Sequence, residues 1–167
     1  MANLKCCSKF NIHDDFYTRK ITWENIKQYI PNKVLWEFCL LDSNEQSKRN
    51  LQELGFEVVG DKTIDFFKHN LGEVLISNPP FSSDIKKKIL QRLVEIDKPF
   101  IIILNSMNLF TKYFKEIFDE KEIYFIFPSG KINYDKYVND KLVATRDNTS
   151  FYSIYVCYKI IDKNIWI

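Results

Sequence analysis

Pro99 followed by Phe100-Ile101-Ile102-Ile103-Leu104 is the stretch that most restricts how this chain can fold. Consecutive apolar residues leave no polar side, so a strand made from them must be covered on both faces. The proline brings no backbone donor and suits a strand's first position, where no ladder bond is lost. A sheet covered on both faces needs helices above and below it, the α/β arrangement. The remaining pieces agree. Val34-Leu35-Trp36-Glu37-Phe38, Phe56-Glu57-Val58-Val59, Val74-Leu75-Ile76-Ser77 and Ile123 to Phe127 read as further strands. Phe151 to Lys159 reads as a last one, alternating and rich in aromatic residues.

Helical segments fall between the strands. Trp23, Ile26 and Ile30 share a helix face that Pro31-Asn32 ends. Ser43 and Gln46 form a capping box for a helix running to Leu54, after which Gly55 supplies a left-handed residue. Ser83 or Asp84 caps the next helix, with Ile85, Ile89, Leu90 and Leu93 on one face. Another spans Leu109 to Phe118, and Pro128 to Ser150 reads as a long polar loop, functional or disordered. The alternation predicts a Rossmann-like α/β fold, a mostly parallel sheet with helices on both faces. At 167 residues with no linker-like tract, one domain over residues 1–167 is expected, with no separate target-recognition domain.

Composition narrows the class of function. A hydrophobic share of 46% with 16% aromatic residues suits a packed globule rather than a disordered chain. No apolar run approaches the roughly 20 residues of a membrane span, and the N-terminus lacks the apolar stretch of a signal peptide. A cytoplasmic, reducing location with no membrane partner is therefore expected. Cys6, Cys7, Cys39 and Cys157 show no metal-ligand spacing, and His13 and His69 are too few for a histidine-based metal site. A net charge of +2 does not by itself imply nucleic acid.

The chemistry is concentrated in Asn78-Pro79-Pro80-Phe81, which leaves the strand Val74 to Ser77. Two prolines stop the ladder and leave a stiff turn at the carboxyl end of a sheet, where open α/β sheets bind ligands. Such a turn resembles the active-site loop of methyltransferases that modify a planar amino nitrogen, whose lone pair is delocalised and whose two hydrogens need acceptors. The resemblance implies that an amide carbonyl from Asn78 and a backbone carbonyl from Pro79 hold both hydrogens, which favours a pyramidal, nucleophilic nitrogen by electrostatic preorganisation with proximity. It implies too that Pro80 stiffens the turn and that Phe81 stacks on a base turned out of its helix or already single-stranded.

These residues resemble the S-adenosylmethionine-dependent methyltransferases of the amino-group type that methylate adenine at N6, over nearly the whole chain. The resemblance implies a class I methyltransferase sheet with an antiparallel hairpin at its edge. Asp15-Phe16-Tyr17-Thr18 looks like the N-terminal cofactor segment, although Arg19 stands where the family has proline. Glu37 and Phe38 look like the end of the first strand, where an acidic residue meets the cofactor. Asp61 is placed like the carboxylate for the ribose hydroxyls. Asp65-Phe66 resembles the pair that contacts the cofactor's adenine. The implied substrate is DNA, with RNA, a protein amide or the amine of guanine as alternatives on the same turn. Lys86 and Lys87 after the turn, with Lys131, Tyr134 and Lys136 in the long loop, are the candidates for nucleic-acid contact.

One segment departs from the pattern. Family members carry glycines after the acidic residue so that the cofactor approaches closely, whereas Cys39-Leu40-Leu41-Asp42-Ser43-Asn44-Glu45 contains none. That leaves open a catalytically inactive binding or assembly protein on the same scaffold, or one completed by a protein partner or a second copy.

Overall fold

The computed structural model of the protein describes residues 16–40, 45–81, 83–135, 137–138, 141–142 and 149–167. Ser43 of the expected capping box, Asp15, Lys136, His13 and the pair Cys6-Cys7 lie outside the described residues. In chain order the elements are β1 (Tyr17–Thr18), α1 (Lys20–Glu24), a 3₁₀ turn (Lys27–Tyr29), β2 (Leu35–Glu37) and α2 (Gln46–Glu53). Then come β3 (Val58–Val59), β4 (Val74–Ser77), α3 (Ser83–Ile96), β5 (Phe100–Asn105), a second 3₁₀ turn (Ser106–Phe110) and α4 (Lys112–Phe118). The chain closes with β6 (Ile123–Phe127), β7 (Tyr134–Asp135), β8 (Tyr137–Val138), β9 (Lys141–Leu142), β10 (Ser153–Tyr158) and β11 (Ile165–Trp166).

The main sheet has the order β11-β6-β10-β5-β4-β2-β3. β10 runs antiparallel to both β5 and β6, and the other pairings in this sheet are parallel. The fold is thus Rossmann-like α/β, mostly parallel, with its antiparallel pair toward one edge. β11, which no apolar pattern flags, lies outside that pair and aligns Ile165 with Ile126.

Alternation along the strands separates two core layers. Phe100, Ile102 and Leu104 of β5 point to one side with Leu75, and meet Ile89, Leu90 and Leu93 of α3 and Phe114 and Phe118 of α4. Ile101 and Ile103 point to the other with Leu35 and Ile76, and meet Trp23 of α1 and Leu51 of α2. Each large aliphatic side chain fully withdrawn from water contributes about 1.5–3 kcal/mol, which explains why the apolar runs decide the architecture.

Local chemistry sets the element ends. α2 stops in a reverse turn in which Phe56 N–H donates to Leu51 O and Gly55 N–H to Gln52 O. Gly55 takes φ +96°, a conformation that side chains disfavour. The start of α2 differs from the sequence expectation: Glu45 is the N-cap, at φ 51°, and its side chain makes no cap bond. The single helix expected from Leu109 to Phe118 is divided. Asn105 caps the 3₁₀ turn by accepting from Met107 N–H, and Thr111 caps α4 by accepting from Phe114 N–H. After β3, Gly60 passes so close to Trp36 that a Cβ there would lie 2.6 Å from the indole nitrogen.

Candidate active site

The carboxyl ends of β2 and β4 are neighbours, in register with Glu37 opposite Ile76. From β2 comes Glu37, 1% exposed. Its carboxylate accepts from Ser47 Oγ (2.5 Å), from Ser77 Oγ and from the backbone N–H of Cys39 (3.2 Å). Ser47 in turn accepts from the Trp23 indole at 3.0 Å. A buried carboxylate needs this many donors, because burial without partners costs several kcal/mol.

β4 delivers Asn78, whose partners are arranged in the opposite sense. Its Nδ2 donates to the carbonyl of Phe16 at 3.3 Å. Its Oδ1 is buried and finds no donor among the described residues. Pro79 and Pro80 follow, both buried and both without an N–H, so the turn offers acceptors and almost no donors.

The N-terminal segment is held over this rim. β1 pairs with β7, Tyr17 opposite Asp135 and Thr18 opposite Tyr134. Arg19 Nε reaches Asp135 Oδ1 at 2.7 Å, and Asn50 Nδ2 donates to Thr18 O at 2.9 Å. The cleft between them is lined by Phe16, Tyr17, Thr18, Glu37, Leu40 and Asn78 among others, with a cavity volume of about 20 Å³. That is room for about one water. Leu40, 3% exposed, is one of its walls. A larger hollow of about 400 Å³ lies between α1 and residues 128–133, lined by Lys131 but by none of the residues expected for catalysis or cofactor binding.

Phe81 is half-buried in an aromatic cluster with Phe151 (ring centroids 5.1 Å), Phe16 (5.3 Å) and Tyr134 (6.1 Å). Tyr134, expected to stack on a base, is instead 2% exposed and donates its hydroxyl to Ser153 Oγ at 2.7 Å. Burial pushes its phenol above the usual range. Lys86, expected to meet phosphates, is also buried, and its ammonium donates to the Phe81 carbonyl at 3.0 Å. It braces the turn, because α3 begins just after it and turns Lys86 inward. Lys87, one position on, is exposed. Lys131 donates to Thr149 O at 2.6 Å, and its ammonium stands 5.1 Å over the Tyr152 ring.

The remaining expected cofactor residues do not line the cleft. Asp61 is exposed just beyond β3 and closes its own turn by accepting from the hydroxyl and N–H of Thr63. The Thr63 hydroxyl bond is the main cause of its lowered pKa. Asp65 accepts from Phe67 N–H at 3.0 Å and lies 3.8 Å from the Lys68 ammonium. Phe66 and Phe38 stack on each other with centroids 4.1 Å apart and belong to the core.

Several contributors escaped sequence reasoning. Ser77 finds Glu37 only once the β2–β4 register is known, and Ser47 only once α2 is packed beside β2. Phe151 enters the aromatic cluster only because β10 is inserted beside β5. The Cys157 thiol, pushed up to about 12 by burial, is inert. Among the described residues, no group of three or more His, Cys, Asp and Glu is placed to hold a metal ion. No helix among them is long and apolar enough to cross a membrane.

Comparison with known proteins finds no matching family model and no matching curated protein. One similar solved structure is described as that of a putative RNA methyltransferase from Pyrococcus horikoshii. It aligns with 95% of this chain and 94% of its own, at 16% identity and a TM-score of 0.49.

Proposed function

We propose that this protein transfers a methyl group from S-adenosylmethionine to a planar amino nitrogen, with the N6 amine of adenine in DNA as the leading substrate. The observation that carries this reading is the Asn78 carboxamide. Its amide nitrogen is committed to the Phe16 carbonyl, which leaves its oxygen as a buried acceptor without a donor among the described residues. An exocyclic amine brings the donor that this atom lacks. With its hydrogens held, the amine's lone pair is freed from the ring, and no strong base is needed first. Pro79 and Pro80 keep the turn rigid and free of competing donors, and Phe81 borders the place where a flat base lies.

S-adenosylmethionine supplies a methyl group on a sulfonium, which needs no further activation. The walls fit it in kind: Phe16, Tyr17 and Thr18 would hold it on one side, with Glu37 at the strand end. In volume the cleft is narrow, since ligand pockets run to about 300–1,000 Å³, and Leu40 is one of its walls. Binding therefore requires the walls to move apart.

The test is a methyl-transfer assay with radiolabelled S-adenosylmethionine on unmethylated DNA and RNA, alongside an active adenine methyltransferase. N6-methyladenine in DNA is the expected product. No labelled nitrogen in any nucleic acid, while the control enzyme succeeds, would sink the reading.

The narrow cleft favours a second reading, a binding or assembly protein that keeps the scaffold without the chemistry. Calorimetry separates the two: micromolar binding of S-adenosylmethionine supports the enzyme, and no heat at millimolar concentration supports the scaffold.

A further inference from the structure

Met107, Phe110 and Tyr152 are 65%, 81% and 60% exposed, and all three stand on segments at the carboxyl rim of the sheet. Ser106 N–H donates to Tyr152 O at 2.8 Å, which ties the turn after β5 to the residue before β10. The turn is stiff. Asn108 Nδ2 donates to Asn105 O at 2.6 Å, Thr111 Oγ1 to Asn108 O at 2.7 Å, and the Tyr113 hydroxyl to Asn108 Oδ1 at 2.5 Å. A rigid backbone thus holds large apolar side chains in water, and clustered exposure of this kind marks an interaction surface.

Position and charge indicate the occupant. β5 lies next to β4, whose end carries Asn78, and Phe151, the residue before Tyr152, packs on Phe81 at 5.1 Å. The patch therefore continues the rim of the proposed active site. The Lys131 ammonium stands 5.1 Å over the Tyr152 ring. Lys112, at the end of the turn, has a side chain 89% exposed, with Glu116 at 3.6 Å as its carboxylate neighbour. Exposed ring faces beside ammonium groups suit flat bases joined by phosphates.

We propose that Phe110 and Tyr152, with Met107 between their elements, form a stacking rim for single-stranded nucleic acid. Phosphates run past Lys131 and Lys112, and the strand is led toward the Asn78 turn. This names the form of substrate for the function proposed above and rests on that reading for its purpose, though not for its test.

Fluorescence anisotropy with a labelled single-stranded oligonucleotide, without methyl donor, reads the rim alone. The full-length protein is expected to bind with an affinity that falls as salt rises. Phe110→Ala and Tyr152→Ala are each expected to weaken binding about tenfold, since a stacked base is commonly worth that much. Lys131→Gln is expected to flatten the salt dependence. Both aromatic positions are exposed, so unchanged thermal melting confirms that the variants fold. Unaltered binding by the double variant overturns the rim, as does equal affinity for duplex with no loss on substitution. A concentration-dependent dimer that the double variant abolishes, with no effect on the oligonucleotide, overturns it in favour of a protein interface. Rim-dependent binding without any methyl transfer supports the rim while removing the enzymatic reading.

Discussion

Two neighbouring strands, β2 and β4, each end at the same rim in a buried polar side chain, and the two side chains are treated oppositely. Glu37 on β2 is surrounded by donors, from Ser47, Ser77 and the Cys39 backbone. Asn78 on β4 keeps an acceptor with no donor among the described residues. Burial is nearly the same, 1% against 9% exposed, so solvent does not explain the contrast. A buried group whose needs are met serves the fold and holds its neighbours in place. One left unmet carries a standing cost of about 1–3 kcal/mol, which a ligand bearing a donor removes.

The sharpest way to break this comparison is substitution at Asn78. Asn78→Ala is expected to lower methyl transfer about 10²–10³-fold while thermal melting barely moves; retained turnover would take Asn78 out of the mechanism. Glu37→Ala reverses the pattern. It strands the hydroxyls of Ser47 and Ser77 and one N–H, so urea unfolding is expected to show a loss of about 3 kcal/mol or more. An unchanged midpoint would mean that Glu37 is not the structural partner described.

Leu40 offers a mixed signature. Leu40→Ala is expected to cost about 2–3 kcal/mol of stability and yet tighten S-adenosylmethionine binding about tenfold, because a shorter side chain widens the narrow cleft. Calorimetry that shows weaker binding would mean that Leu40 supports the ligand rather than narrowing its site. Lys86→Met removes the brace on the Phe81 carbonyl, with an expected loss of about 1 kcal/mol and no change in the salt dependence of nucleic-acid binding. A flattened salt dependence would return Lys86 to the phosphate-contacting role.

The smallest effect lies at the opposite end of β10. Asp97 accepts from the Tyr158 hydroxyl at 2.6 Å and the Lys159 ammonium at 3.0 Å, and these bonds, Tyr158 first, hold its carboxyl below the ordinary value of 3.8. A depressed folded-state value means that the contribution is present above 3.8 and fades as pH falls below it. Melting temperatures of the wild type and Asp97→Asn should therefore differ modestly at pH 7 and converge under acid. A gap that widens below pH 3.8 contradicts the assignment.

Much of this architecture was legible in apolar pattern. β4 and β6 fall where the runs place them, β5 extends its run by one residue, and Ile89, Leu90 and Leu93 form the expected buried face of α3. The misses share a cause. Lys86 reads as a nucleic-acid contact in the basic run after the turn, yet helix phase after the proline turn aims it inward. Tyr134 reads as a mobile loop aromatic, but its pairing opposite Thr18 draws it into the core. Phe66 and Phe38 are separated by 28 positions and stack because β2 and the turn after β3 converge. β11 is too short to leave a period, and its existence depends on β6 having an open edge.

The chain's own order of residues determined the α/β class, the position of the Asn78 turn at a strand's carboxyl end, and the absence of glycine between Cys39 and Glu45. Those follow from local rules, since apolar period, proline and glycine act within a few bonds of where they stand. Tertiary structure alone decided which buried polar atoms are satisfied. Glu37 meets Ser77 across 40 positions, and Asn78 meets Phe16 across 62. Hydrogen bonds are short-ranged and directional, so only the assembled register settles which acceptor is already paired and which is left for a ligand.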